Sequence, residues 1–186
     1  MTRNSLPSTD RTRRANRGEV LRTALAAADT RRDGRLPMDL PGVTETFADE
    51  LDLLAAMQLR WHSRLAGQLE RALHDDPTDL SRAVATAWAD TARAMPGVRL
   101  VLDVHRDEPV DDAMARAMTK ATDKERSMLA VMAGLAGVQD EAAHIGARLE
   151  QQARERLASD VGTTEVLVPV GRGGNLMSRL RNLLAA

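Results

Sequence analysis

Apolar residues recur at alternating steps of four and three over a long stretch in the first half of the chain. The stretch contains Phe47, Leu51, Leu54, Gln58, Trp61, Leu65, Leu69 and Ala72. This spacing places these side chains on one face of an α-helix, and we predict a helix over residues 44–75 with Thr44 as its N-cap. An apolar helix face must be covered by another element, so this stretch requires a partner.

A second helix is predicted directly after the first. Asp76 can cap it, Pro77 suits its first turn, and Met95-Pro96-Gly97 ends it, so the helix covers residues 77–95. We expect the two helices to form the centre of the hydrophobic core. The residues that carry this prediction are Leu51, Leu54, Trp61, Leu65, Leu69 and Trp88.

The composition favours helices throughout. The chain has one Phe, two Trp, no Tyr and no Cys. Leu, Ala, Val and Met must therefore fill the core, whereas β-sheet domains usually require aromatic and β-branched residues. The lack of cysteine excludes disulfide bonds, thiolate zinc sites and cysteine nucleophiles, and it fits a reducing compartment. We predict an all-α fold, a helical bundle of about four to six helices.

Further helices are predicted from apolar spacing and turn residues. Residues 18–32 and 98–104 form short helices, and Glu108-Pro109-Val110-Asp111-Asp112 begins a longer one that carries a stripe of methionines. Gly134 and Gly137 weaken this longer helix. The sequence leaves open whether the helix bends or breaks there.

The chain divides into three segments by composition. Residues 1–17 are polar and rich in arginine, which predicts a disordered basic arm. Residues 18–160 form the bundle domain. Residues 161–186 are predicted to form a linker, extended at 163–170, followed by a glycine hinge and a short amphipathic helix.

Charge is distributed unevenly along the chain. Residues 1–35 have a net charge of +5 and residues 171–186 a net charge of +3, whereas residues 36–170 have a net charge of −9. Basic ends on an acidic body indicate contacts with oppositely charged surfaces. The arm can bind nucleic acid non-specifically through phosphate contacts. The arginines concerned are Arg11, Arg13, Arg14 and Arg17.

Two observations limit this nucleic-acid hypothesis. The arm has no aromatic residues on which bases of a single strand could stack. A run of charge is also typical of a solvated tail, or of a tail that folds against the acidic body of its own chain.

The C-terminal segment carries the leading functional hypothesis. Asn175 can cap a short helix with one apolar stripe, and all of the charges of this helix are positive. Because an isolated helix shorter than about 12–15 residues is marginal in water, it is expected to fold on a partner. The predicted partner-binding residues are Leu176, Met177, Arg179, Leu180, Arg181, Leu183 and Leu184. This predicts a non-enzymatic interaction or adaptor protein.

The alternative hypothesis is a helical domain that binds a small molecule. Its candidate pocket comprises Trp61, His62, Trp88, Met114 and Met118. A methionine stripe can line an adaptable groove, although it is also typical of a core that has few aromatic residues.

A family resemblance accompanies this alternative. Residues 47–95, a long helix rich in Leu and Arg followed by one that ends at Pro-Gly, resemble the ligand-binding half of TetR-type regulators. The resemblance implies a helical regulatory domain. The chain departs from the family pattern because no recognisable helix-turn-helix precedes these residues, and Pro37 and Pro41 interrupt the region where it would lie.

Catalytic and metal-binding motifs are sparse. Glu141 and His144 have the spacing of a di-iron ligand pair, but such a site needs a second copy and two further glutamates. We therefore predict no metal, no cofactor and no enzymatic activity. No apolar run approaches the roughly 20 residues that a membrane span requires, so we expect a cytoplasmic protein. The high content of Ala, Arg and Asp suggests a GC-rich bacterial genome.

Overall fold

The computed structural model of the protein describes residues 8–137 and 142–166, with side chains described over 16–137 and 142–159. This part of the chain contains seven α-helices and no β-strand, which confirms the predicted all-α fold. The helices are α1 (Ser8–Arg31), α2 (Val43–Thr46), α3 (Glu50–Asp75), α4 (Leu80–Ala94), α5 (Pro96–Asp107), α6 (Asp112–Met132) and α7 (Ala143–Val166). Because α2 is a single turn, the bundle is built from the six longer helices.

Four of the helices contact one another in cyclic order. Helix α3 packs on α4, α4 on α7, and α7 on α6. Helices α6 and α3 complete the ring, but they pack on each other much less extensively. Helix α5 packs on α1, α6 and α3, and α1 also contacts α2 and α3. The α3–α6 seam is therefore the loosest side of the four-helix ring.

The core lies where the two predicted central helices meet. Trp61 and Trp88 are fully buried, and their rings form an edge-to-face pair with centroids 5.7 Å apart. The predicted core residues Leu54, Leu65 and Leu69 are fully buried too. Leu51 is only partly buried and packs at the margin of the core. The helix-face prediction for α3 and α4 is confirmed.

Two glycines permit close contact between helix backbones. A Cβ atom at Gly146 would lie 1.8 Å from the carbonyl oxygen of Arg126, and one at Gly97 would lie 1.9 Å from that of Ala28. No side chain fits at either place. Gly146 therefore allows α7 to approach α6, and Gly97 allows α5 to approach α1.

The predicted starts of α3 and α4 are wrong by several residues. Thr44 lies inside the separate turn α2. Helix α3 starts after Asp49, whose carboxylate accepts a hydrogen bond from the Asp52 amide at 2.8 Å. Helix α4 starts after Asp79, whose carboxylate accepts from the Arg82 amide at 2.9 Å. In both cases an aspartate that satisfies a free amide group decides where the helix begins.

The predicted ends of the chain also need correction. Helix α1 begins at Ser8, so residues 8–17, which we assigned to a disordered arm, are helical. They contain neither proline nor glycine, and arginine has a high helix propensity. Helix α7 continues to Val166, so residues 163–166 are helical rather than extended. Residues 1–7 and 167–186 lie outside the described part of the chain.

The structure shows whether the long helix bends or breaks near Gly134 and Gly137. Helix α6 ends at Met132 and α7 starts at Ala143, so the chain breaks rather than bends. Gly134 has a left-handed φ of 68°, a conformation that favours glycine and ends the helix. The described helices include none that is long and apolar enough to cross a membrane.

Candidate functional site

One buried carboxylate, that of Glu125 in α6, lies at the centre of the bundle. Its side chain reaches between the two tryptophans and is only 5% exposed. Oε1 accepts a hydrogen bond from Trp88 Nε1 at 2.8 Å, and Oε2 accepts one from Trp61 Nε1 at 2.9 Å. The two indole rings thus form part of the hydrophobic core, and their N–H groups donate hydrogen bonds to the buried carboxylate between them.

Hydrogen bonds and the charge of Arg99 stabilise the ionised form of this carboxylate. Burial raises the pKa of Glu125, but the hydrogen bond with His62, the charge of Arg99 and the hydrogen bond from Trp88 outweigh it. The pKa is lowered from an ordinary 4.5 to about 2. His62 Nε2 lies 3.4 Å from Oε2, and Arg99 Nη1 lies 3.5 Å from Oε1. Glu125 is therefore ionised at neutral pH.

Arg99 links Glu125 to a set of ion pairs between α5, α6 and α7, which we call the ion network. Arg99 Nη2 lies 2.9 Å from Asp103 Oδ1, and Arg154 Nη2 lies 2.7 Å from the same oxygen. Glu150 accepts from Arg154 at 2.7 Å and from Arg126 at 2.9 Å. The members of the ion network are Arg99, Asp103, Arg106, Arg126, Glu150 and Arg154.

The ion network is supported by aromatic rings as well as by charge. The guanidinium of Arg99 lies 4.8 Å from the ring centroid of Trp61, and that of Arg154 lies 4.8 Å from the centroid of Trp88. Burial raises the pKa of Glu150, but the hydrogen bonds from Arg154 and Arg126 lower it overall. Both carboxylates of α6 and α7 in this region are therefore held in the charged state.

A groove of about 310 Å³ lies on the other side of Glu125, in the loose seam between α3 and α6. We call it the α3–α6 groove. Its walls are mainly apolar, and its outermost member, Leu59, is 68% exposed. The apolar wall residues are Leu51, Leu54, Ala55, Leu59, Ala117, Met118 and Ala121, and the polar ones are Gln58, His62, Lys120 and Lys124.

Gln58 lines this groove and carries a buried hydrogen-bond acceptor that is unmatched. Its side chain is 8% exposed, and its Nε2 lies 3.2 Å from His62 Nε2 and 3.5 Å from Glu125 Oε2. The amide nitrogen faces Glu125 Oε2, and a carboxylate oxygen only accepts. The amide oxygen Oε1 is left buried without any hydrogen-bond partner. Native proteins rarely leave a buried carbonyl oxygen unpaired.

Lys120 and Lys124 lie at the rim of the α3–α6 groove, four residues apart on α6. They are the only two lysines in the chain, in which all other basic side chains except the histidines are arginines. Both are exposed. In the described part of the chain neither lysine forms an ion pair. Two unpaired positive charges therefore flank an apolar surface.

The residues of the predicted pocket separate into two groups. His62 and Met118 line the α3–α6 groove. Trp61, Trp88 and Met114 are core residues, with at most 1% of each exposed. A candidate pocket therefore exists between α3 and α6, but Trp61 and Trp88 do not line it.

The terminal basic residues that we singled out are only partly described. Arg17 Nη2 lies 2.7 Å from Asp52 Oδ1, and its guanidinium lies 4.3 Å from the Phe47 ring centroid. Arg17 is thus engaged within the chain. The side chains of Arg11, Arg13 and Arg14 lie outside the described part of the chain. So do Leu176, Met177, Arg179, Leu180, Arg181, Leu183 and Leu184, and partner docking through them stays a prediction.

Only one residue of the metal-like pair, His144, lies in the described part of the chain. His144 is exposed at the start of α7, and Glu141 lies outside the described residues. Within residues 8–137 and 142–166, no three His, Asp or Glu side chains are grouped so that they could hold a metal ion.

Sequence reasoning missed Glu125, Arg99 and Gln58 as functional residues. Glu125 follows Met118 by seven residues and precedes Leu129 by four, so it occupies a core position in the apolar stripe of α6. Arg99 similarly lies inside the apolar run 98–104. A charge at a core position was the available signal, but the partners of Glu125 are 26 to 67 residues away in the chain.

Comparisons with protein-family models, with curated proteins and with solved structures yield no match for this chain. The α3–α6 groove and its polar groups are therefore the basis for any functional conclusion.

Proposed function

We propose that this protein is a helical ligand-binding domain that takes an amphipathic small molecule in the α3–α6 groove. The observation that carries the proposal is the buried, unpaired Oε1 atom of Gln58. An unsatisfied buried acceptor costs about 1–3 kcal/mol, and a ligand O–H or N–H group that donates to it would recover this free energy.

The surroundings of Gln58 suit such a ligand. The apolar walls can bury an aliphatic chain, and the volume of about 310 Å³ is at the lower end of the roughly 300–1,000 Å³ of ligand pockets. Glu125 holds the Gln58 amide from behind, so the acceptor is oriented before a ligand arrives. Such preorganisation lowers the entropic cost of binding.

We further propose that the protein is non-enzymatic and acts in the bacterial cytoplasm. The described lining residues include no hydroxyl that His62 could activate as a nucleophile, and the carboxylate beside His62, that of Glu125, is buried and held by two indole N–H groups. The absence of cysteine supports a reducing compartment.

Titration calorimetry with decane-1,2-diol tests the proposed function, because this probe has hydroxyl donors, an apolar chain and no charge. We expect one equivalent to bind. Ala55→Trp, at an exposed position of the groove wall, should abolish binding because the indole fills the groove. Ala26→Trp, at an exposed position of α1, is the matched control and should bind as the wild type does. Failure of the wild type to bind either the diol or an anionic amphiphile of the same chain length, or equal binding of the diol by Ala55→Trp, would refute the proposal.

A further inference from the structure

We infer that the ligand of the α3–α6 groove is an anion: a single aliphatic chain whose head group combines a carboxylate with an adjacent O–H or N–H donor. This inference rests on the proposed function and specifies its ligand class. The donor matches Gln58, and the carboxylate matches the two lysines at the rim.

The charges around the groove indicate that its ligand is negatively charged. Lys120 and Lys124 both face it and have no ion-pair partner in the described structure. Some exposed arginines elsewhere pair with acids, as Arg82 does with Asp76 at 2.5 Å. The described lining of the groove contains no carboxylate, since Glu125 lies behind Gln58 and is already engaged by Arg99 and the tryptophans. The groove therefore presents positive charge without an internal counter-ion.

The arrangement along α3 gives the ligand a direction. Leu51 begins the stretch of α3 that lines the groove, and His62 ends it. At 1.5 Å per residue this stretch is about 16 Å long, which suits an aliphatic chain of medium length. Gln58 and His62 lie towards one end of this stretch. Gln58 contacts Glu125 there, and Lys124 is the residue directly before Glu125 in α6. The head group belongs at this polar end, and the chain belongs over Leu51, Leu54 and Met118.

The same charges argue against the C-terminal segment of the protein as the occupant. That segment offers an apolar stripe, but its charged residues, Arg172, Arg179 and Arg181, are all positive. Arginines placed beside Lys120 and Lys124 would repel them, and like charges oppose docking. A free anionic amphiphile has the complementary charge.

Titration calorimetry with three probes of one chain length, each below its critical micelle concentration, tests the inference. The probes are 2-hydroxydecanoate (donor and anion), decanoate (anion) and decane-1,2-diol (donor). We expect 2-hydroxydecanoate to bind most tightly, and added salt to weaken its binding but not that of the diol. Lys120→Gln and Lys124→Gln should each weaken 2-hydroxydecanoate binding by about twofold to fivefold, with the diol unaffected.

Charge-preserving variants and lysine labelling complete the test. Lys120→Arg combined with Lys124→Arg should retain the preference for the hydroxy acid. Because these are the only lysines of the chain, an amine-directed acylating reagent reports on the groove rim apart from the N-terminal amine. Bound 2-hydroxydecanoate should protect both lysines from acylation in a mass-spectrometric time course.

Distinct outcomes separate failure of this inference from failure of the proposed function. Diol binding as tight as that of 2-hydroxydecanoate, or unchanged binding in the Lys→Gln variants, overturns the anionic ligand and leaves the groove as a binding site. Failure of all three probes overturns both. Binding only to vesicles of anionic phospholipid, with none to the monomeric probes, also overturns the inference in favour of a membrane surface.

Discussion

The two oxygens of Glu125 face two regions of the same core that differ in the kind of polar group each leaves unpaired. Oε1 faces Trp88, Arg99 and the ion network, where each carboxylate meets at least two arginines and one buried donor, Arg99 Nε, has no partner. Oε2 faces Trp61, Gln58 and His62, where one buried amide oxygen has no partner. The comparison indicates that one side of the carboxylate contributes mainly stability, and that the other holds a binding group in position.

Removal of the shared carboxylate should have the largest effect. Glu125→Ala leaves the buried Arg99 with Asp103 as its remaining acidic partner and leaves both indole N–H groups without an acceptor. We expect the free energy of unfolding to fall by about 3–5 kcal/mol, as it does when one partner of a buried ion pair is removed. Urea denaturation at pH 7 measures this loss. Glu70→Ala, at an exposed position of α3, is the control and should change stability by less than about 0.5 kcal/mol.

Acid should destabilise the fold through the same group. The pKa of Glu125 is lowered from 4.5 to about 2 in the folded chain, so its contribution is complete above about pH 4.5 and is lost as the pH falls towards 2. The shift corresponds to about 3 kcal/mol. Urea denaturation at several pH values between 7 and 2.5 should show this decline. Glu125→Gln should be less stable at pH 7 and should have a flatter pH profile, and an unchanged profile would contradict the assignment.

The two indoles should differ when their N–H groups are removed. Trp61→Phe and Trp88→Phe each keep a ring but delete a donor to Glu125, and we expect a loss of about 1–3 kcal/mol. Trp88→Phe should be the more costly, because Oε1 then keeps only Arg99 at 3.5 Å, whereas Oε2 keeps both His62 and Gln58. Thermal and urea unfolding followed by circular dichroism measures the difference. The reverse order would show that the two sides do not differ as described.

Gln58→Met should have the smallest effect on stability and a large one on binding. The substitution removes the unmatched acceptor, which should stabilise the fold, and it removes the long hydrogen bond to Glu125, which should destabilise it. The two effects on the free energy of unfolding oppose each other. We expect the free energy of unfolding to change by less than about 1 kcal/mol, while decane-1,2-diol binds at least about tenfold more weakly. Paired urea denaturation and calorimetry make the comparison. If the Gln58→Met variant binds the diol as tightly as the wild type does, Gln58 does not contribute to the binding site.

The helices that carry a continuous apolar face were predictable from the sequence. The spacing from Leu51 to Leu69 defines the buried side of α3, and Trp88 defines that of α4, because burial of one face imposes the helical period on the sequence. Helix starts were less predictable, since Asp49 and Thr44 are both suitable caps. Only tertiary packing around Val43 and Phe47, which are buried, separates α2 from α3.

The candidate site was mostly hidden from sequence reasoning. Gln58 was placed on the buried face of α3, but its unpaired oxygen depends on the position of Glu125, which is 67 residues away. The α3–α6 groove arises because α6 packs closely on α7, where Gly146 meets Arg126, and only loosely on α3. Such differences in helix separation are a property of the whole bundle and leave no local pattern in the chain.

The edge-to-face contact of Trp61 and Trp88 has an optical consequence. The chain has no other tryptophan and no tyrosine, so almost all of its near-ultraviolet absorption and emission arises from one pair of indoles beside Glu125. An emission-based melting curve therefore follows the opening of this centre and does not detect fraying of α1, which contains no aromatic residue. The same pair makes emission a built-in signal for events at Gln58 and His62, one helical turn or less from Trp61, without any attached dye.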